Sequence, residues 1–377
     1  MNTCKKKICF VVASPFTAIA FLLKHFEYLS KQYDIYLVAN FDDFESKIDT
    51  SNIKEIKNIA IKRGISVFDD LKSIIALNKY FREQQFDAVH SVTPKAGLVT
   101  MIASKWAGIK LRTHIFTGQV WHTKKGFFKK ILKTIDRLIV FCATDILVDG
   151  ESQRKFLIKN KIVSDSQSRV LGKGSISGVD TSKFIPNIDV YKKYRKEINV
   201  NKEIVFLFLG RLNHDKGITD LVKAFIELNN IYPHTKLVLV GPDEENMVSK
   251  INILTSNNNI IIYGATNKPQ EVMQMADVFC LPSYREGFGT SVIEASLLEK
   301  PIICSDTYGL METIIENETG LRHQVGNINS LLMQMDKMMD ENTRVRFGKN
   351  GRNYILTNFS ADTISQKWLE YYNNKLK

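Results

Sequence analysis

The chain has 377 residues, 44% of them hydrophobic and 24% charged, an ordinary globular composition long enough for two domains with separate cores. Its formal net charge of +12 points to anionic partners, whether nucleic acid, phosphates or a negatively charged membrane. Five cysteines (Cys4, Cys9, Cys142, Cys280 and Cys304) include no C-x-x-C pair, which argues against a disulfide framework or zinc and for buried thiols.

In chain order, the opening MNTCKKKICFVVASPFTAIAFLLKHF imitates a signal peptide or a short anchor. Pro15 and Thr17 interrupt its apolar run, so it reads instead as strand, helix and strand, with YDIYLVAN as the second strand. Strands are predicted at Ile8–Ala13, Ile35–Ala39, Ala88–Val92, Leu111–Phe116, Ile146–Val148 and Val170–Leu171. Helices are predicted at Ala18–Lys31, Leu71–Gln84 and Lys95–Trp106. The second half repeats the alternation, with strands at Ile204–Leu209, Lys236–Val240, Ile260–Tyr263, Val278–Leu281 and Pro301–Cys304. Continuous apolar strands between helices mean parallel sheets covered on both faces. The fold class is therefore α/β, with two doubly wound domains at 1–185 and 186–358. A last helix in 359–377 is free to pack on either half, the first being one option. No other segment approaches the ~20 apolar residues of a membrane span.

Candidate chemistry gathers after strands of the second half, where α/β sheets bind ligands. GRLNHDKG places Gly210 at a strand end, then Arg211 and Lys216 before a helix. Two cations beside helix N–H groups suit a diphosphate. The spacing is not that of a Walker A loop, and no G-x-G-x-x-G stands at a strand-to-helix turn. Gly264 ends another strand, where a small residue lets a planar base approach the backbone. REGFGTSVIEA follows a fourth strand. Gly287 and Gly289 open the backbone to a phosphate at a helix start that includes Phe288, Thr290 and Ser291. Glu286 stands at the mouth as an acceptor. Glu294 falls on a small or apolar stripe one turn into the helix, where a carboxylate needs partners such as sugar hydroxyls. Taken alone, the two glutamates read better as a helix cap and a lysine partner; with Arg211 and Lys216 at the same sheet edge, the ligand-binding reading wins.

With GRLNHDKG, ADVFCLPSYREGFGTSVIEA, PIICSD and NETGL in that order, the sequence resembles the retaining glycosyltransferases of family 4, whose GT-B fold faces two Rossmann-like domains across a cleft. The resemblance covers nearly the whole chain and is strongest from Gly210 to Leu321. It implies that Glu286 binds hydroxyls of a donor sugar and Glu294 the ribose hydroxyls of its nucleotide. Arg211 and Lys216 would hold the diphosphate, and the Gly287–Ser291 backbone would complete the cradle. The implied donor is a nucleotide sugar, UDP-linked, and no metal or other cofactor is expected. ASPFTA, with Ser14, and LGKGSISGVDTSKF resemble the transferases that build O-antigen and capsule repeat units. These imply a lipid-diphosphate-linked saccharide as acceptor.

On the first half, the loop of Thr117, Gly118, Gln119, Trp121 and His122 has the amides and aromatic surface of a sugar or diphosphate face, or of a rigid loop with Trp121 in the core. Many relatives carry a histidine in this loop; here Thr117 or Gly118 stands in that place, flanked by His114 and His122. KKGFFKKILKTIDR, Lys124–Arg137, holds six cations and one acid, with Phe128, Ile131, Leu132 and Ile135 at helical spacing. It reads as a basic amphipathic helix docking on an anionic membrane, or as a surface helix with its stripe to the core. The expected location is cytoplasmic, on the inner face of the cell membrane. DDFES and PDEEN read as solvated loops, and no nucleic-acid module is recognisable. The alternatives are another GT-B enzyme, such as a nucleotide-sugar epimerase, or a non-enzymatic membrane-associated nucleotide-binding protein.

Overall fold

The computed structural model describes residues 5–377 apart from 43, 46, 47, 63, 65 and 257. Cys4 and two residues of DDFES lie outside the described residues. The chain divides into two units, Met1–Gly178 with Ala361–Lys377, and Val179–Ser360.

In the first unit the elements run β1 (Lys7–Val11), α1 (Pro15–Phe21), α2 (Leu23–Leu29), β2 (Asp34–Ala39), β3 (Glu55–Asn58), α3 (Val67–Gln84), β4 (Ala88–Val92), α4 (Pro94–Trp106), β5 (Leu111–Phe116), α5 (Gly126–Cys142), β6 (Asp145–Val148), α6 (Glu151–Lys159) and β7 (Ser168–Arg169). The strands form one parallel sheet in the order β3-β2-β1-β4-β5-β6-β7. Strand periodicity of two sorts β1 between two cores. Ile8, Phe10 and Val12 enter the core that also holds Trp368 and Tyr372, while Cys9, Val11 and Ala13 enter the one beneath α3 and α4.

The second unit contains α7 (Ile188–Glu197), β8 (Ile204–Leu209), a 3₁₀ turn (His214–Lys216), α8 (Ile218–Ile231), β9 (Thr235–Val240), α9 (Met247–Leu254), β10 (Ile260–Gly264), α10 (Pro269–Val272), β11 (Val278–Leu281), α11 (Thr290–Leu297), β12 (Ile302–Ser305), β13 (Gly320–His323), α12 (Ile328–Lys337) and α13 (Glu341–Asn358). Its parallel sheet runs β10-β9-β8-β11-β12-β13. In both sheets the winding reverses beside the first strand, between β1 and β4 and between β8 and β11. The last helix, α14 (Ala361–Lys375), belongs to the first unit. There Trp368 lies between two imidazoles, 4.4 Å from His25 and 4.8 Å from His90 with near-parallel rings. Burial pushes His25 down to about 4 and His90 well below the usual imidazole value, so the stack is of neutral rings.

The break between units falls at Gly178–Val179 rather than 185–186. Val179 donates its amide to Phe359 (2.8 Å), and both Val179 and Phe184 sit in the core of the second unit. Two strands escape the sequence pattern. β3 and β13 are short edge strands, and their EIKN and GLRH make no apolar run. The pair Val170–Leu171 packs against the cores just beyond the two-residue β7 rather than in it. Helix Ala18–Lys31 is two helices that start earlier, at Pro15, and break at Leu22, where φ is −117°. Cys9, Cys142, Cys280 and Cys304 are buried free thiols.

Candidate active site

At the carboxyl edge of the six-stranded sheet, the loops after β8 and β11 meet at the reversal point. One glycine makes that approach possible, and a second lets the loop after β12 close on the β11 loop. Gly217 has φ of +70°, and a Cβ there would lie 2.1 Å from the Pro282 carbonyl oxygen. Gly309, with φ of +82°, would place a Cβ 2.4 Å from the Gly287 carbonyl oxygen. Neither position accepts a side chain.

The β8 loop delivers Lys216, whose Nζ lies 2.5 Å from Glu286 Oε1 on the β11 loop. Ser283 Oγ donates to the same oxygen at 2.7 Å. Beside them Arg285 bonds Asp215 (3.1 Å), and the Tyr284 hydroxyl donates to Asp220 (2.6 Å) while its ring stacks on His214. Arg211 is half exposed and donates to Glu244 at 3.0 and 3.3 Å.

Beyond Glu286 the chain turns into α11. The Gly289 amide is spent on the Gly309 carbonyl (3.0 Å), and a Cβ at Gly289 would strike Leu310 at 2.3 Å. Among the described residues the amides of Thr290 and Ser291 have no acceptor. These are the free donors expected at a helix N-terminus, on the positive end of its dipole. Phe288 points inward, 6% exposed, and packs on Phe359, so only its backbone faces the loop. One turn on, Glu294 is half-buried and accepts no hydrogen bond on its carboxyl among the described residues. Burial pushes it up to about 7, opposed by the charge of Lys183. Gly210 and Gly241 touch through their backbones, whereas Gly264 (φ +87°) faces open space.

The first unit separates its predicted residues. Trp121 is in the core: its indole N–H donates to the buried Asp136 (2.6 Å) and its ring stacks on Phe156. It therefore offers no sugar platform. His122 meets the same Phe156 edge-on, and Gln119 is buried, accepting from Gln153 (3.1 Å). His114 is also buried, bonded to Ser91 and pushed down to about 3, again by burial. Thr117 and Gly118 (φ +107°) remain at the loop. Ser14 heads α1 and lines a cavity of about 380 Å³ with Phe16, Asn40, Phe44 and Lys62. At the end of β6, a residue that no motif marked, Asp149, is buried and pushed up to about 8.

PDEEN is not a solvated loop. Asp243 accepts from the amides of Met247 and Val248 at the start of α9, and Glu244 and Glu245 bond the β8 loop. Glu244 and Asn213 carry no local pattern that says which neighbour they meet, whereas the S-x-x-E spacing of Ser283 and Glu286 is a signal that could have found Ser283. Among the described residues no group of three His, Cys, Asp or Glu side chains gathers as a metal set.

A family model described as glycosyl transferases group 1 matches residues 190–354. The chain is 32% identical over 352 residues to the capsular polysaccharide biosynthesis glycosyltransferase CapM of Staphylococcus aureus, with 92% of this chain and 91% of that protein covered. The chain belongs to the group 1 glycosyl transferases. It is thus a retaining glycosyltransferase of family 4. The Escherichia coli UDP-Gal:alpha-D-GlcNAc-diphosphoundecaprenol alpha-1,3-galactosyltransferase is 27% identical, covering 94% of this glycosyltransferase and 93% of that protein. Among solved structures, Anabaena Alr3699/HepE in complex with UDP and glucose superposes with a TM-score of 0.81 at 19% identity, covering 98% of this chain and 99% of that one. WaaG, a glycosyltransferase of lipopolysaccharide biosynthesis, reaches 0.74 at 16% identity, covering 97% and 99%. The fold of the glycosyltransferase is GT-B, as its motifs imply.

Proposed function

We propose that the enzyme moves a hexosyl or N-acetylhexosaminyl group from a UDP-sugar to a hydroxyl of a saccharide carried on undecaprenyl diphosphate, in surface-polysaccharide synthesis. The carrying observation is the Lys216–Glu286–Ser283 cluster beside the unoccupied amides of α11. Lys216 and those amides face the diphosphate, and Arg211 joins them once the donor is bound. As the glycosidic bond to the diphosphate breaks, they stabilise the charge that develops on the leaving oxygen. Glu286 receives hydroxyls of the donor sugar while Ser283 and Lys216 fix its position. Glu294 accepts the ribose hydroxyls. The acceptor hydroxyl attacks on the face the nucleotide leaves, and the leaving phosphate takes its proton. Support for the donor and acceptor classes comes from relatives whose names specify UDP-Gal and diphosphoundecaprenol, and N,N'-diacetylbacillosaminyl-diphospho-undecaprenol.

Incubation with a panel of UDP-sugars and a synthetic lipid-diphosphate acceptor tests this. One UDP-sugar should add a single sugar mass to the acceptor. Modification of the donor alone would favour an epimerase instead.

Hydroxyls bind the ionised form of Glu294, whose pKa in the empty protein is about 7. A proton must therefore leave before UDP binds at lower pH. UDP affinity should fall severalfold from pH 8 to pH 6, and Glu294→Gln should flatten the profile. A profile unchanged by that substitution would remove Glu294 from the site.

The enzyme works peripherally, on the inner face of the cell membrane, with α5 as its contact. Among the described residues no helix is long and apolar enough to cross a membrane. The sequence reading put Phe128, Ile131, Leu132 and Ile135 on one stripe. Leu132 and Ile135 in fact pack on the core, while Phe127, Ile131, Leu138 and Phe141 form an exposed stripe among lysines. Phe127 alone is 78% exposed. Replacing both Phe127 and Ile131 by Asp should weaken binding to anionic vesicles at least roughly tenfold, each apolar side chain being worth ~1.5 kcal/mol or more. Co-sedimentation equal to wild type would contradict it.

A further inference from the structure

Lys216, Arg285 and Arg211 stand at the carboxyl edge of the six-stranded sheet, and each is neutralised by an acid: Glu286, Asp215 and Glu244 respectively. The pairs point in different directions. The sheet order is β10-β9-β8-β11, with the reversal between β8 and β11. In open α/β sheets the ligand lies in that crevice. Lys216 leaves the β8 loop toward β11, on the crevice side. Arg211 leaves the same loop the other way, to Glu244 after β9. Glu244 is fixed there by Asn213, whose Nδ2 donates to it at 2.9 Å and whose own Oδ1 is buried without a partner. The two bonds hold the Glu244 carboxyl below the usual carboxylate range, Asn213 contributing most. The neighbouring acids are engaged elsewhere, Asp243 at the start of α9 and Glu245 on the His214 amide.

We infer that Glu244 competes with the donor for Arg211: it parks the guanidinium on the β9 side of the empty enzyme and yields it to the donor's diphosphate. It then retakes Arg211 as the nucleoside diphosphate leaves. A diphosphate in the crevice needs Lys216 and Arg211 together, and the resting ion pairs hold them on opposite sides of β8. Exchange of the Arg211 partner brings both to one anion, and the reverse exchange favours product release. The inference rests on the donor-site reading above.

Glu244→Gln keeps an acceptor for Asn213 and Arg211 and removes only the charge. In titrations of the full chain, UDP and inorganic pyrophosphate should bind roughly twofold to fivefold more tightly to this variant, since an exposed competing charge of this kind is worth about that much. In an Arg211→Ala background the same substitution should change neither affinity. A merely structural role for Glu244 predicts the opposite sign, weaker binding, and that result or no change would overturn the inference. An equal gain without Arg211 would also overturn it, by making Glu244 a background charge. A wild-type chain that binds neither UDP nor pyrophosphate would remove the donor-site reading itself, and the exchange with it.

Discussion

Replacing Lys216 by alanine should lower kcat/KM for sugar transfer by about a hundredfold or more, the range for loss of one preorganised charge donor at a developing anion. The lysine is three-quarters or more buried against Glu286, at 2.5 Å, and reaches across from the β8 loop to the β11 loop. On the proposed reading its removal takes a cation from the diphosphate, and among the described residues it leaves the Glu286 carboxyl with Ser283 as its one side-chain partner. Both donor charge stabilisation and sugar positioning suffer, so kcat falls as well as affinity. Steady-state kinetics with a saturating acceptor would check this, with thermal unfolding as a control for folding. A kcat/KM within threefold of wild type would leave the cluster without its assigned role.

The second large effect concerns stability. Trp368→Ala should destabilise the first unit by ~3–5 kcal/mol, the usual cost of emptying a large aromatic site. The indole is fully buried, lies between His25 and His90, and shares its core with Phe10 and Tyr372. His25 is also tied to α14 through Ser365 (2.8 Å) and to the Ile176 carbonyl (2.7 Å), and His90 to the Tyr372 hydroxyl (2.7 Å). Losing the ring therefore loosens the last helix from the sheet and strands polar groups around a cavity. Urea unfolding read on the first unit would measure it. A loss below ~1 kcal/mol would mean that α14 is not integral to that core.

Much of this was legible beforehand for a physical reason. β8 and β11 were read residue for residue because strands buried on both faces are unbroken apolar runs, and β4 and β5, AVHSV and LRTHIF, because apolar residues bracket their polar ones. The polar edges β3 and β13 carry no such signal. In the candidate site, Arg211, Lys216, Glu286 and Glu294 stand out as candidates because strand-end loops and helix starts leave local marks. Not all of their partners do. Glu244 meets Arg211 across two strands of the sheet, which no spacing encodes, whereas Ser283 stands three residues before Glu286 in a local S-x-x-E spacing. Trp121 and Phe288 show the converse error. An aromatic in a glycine-bearing loop reads the same from sequence whether it faces a ligand or the core, and Asp136 and Phe359 decide for the core.

On the proposed reading the donor diphosphate lies at the junction of the β8 and β11 loops. Phosphorus NMR of UDP titrated into the wild-type enzyme and the Lys216→Ala variant addresses it most directly. Both phosphorus resonances should shift on wild type, and the shift should be largely lost on the variant. Equal shifts and equal affinity on the two proteins would contradict the account.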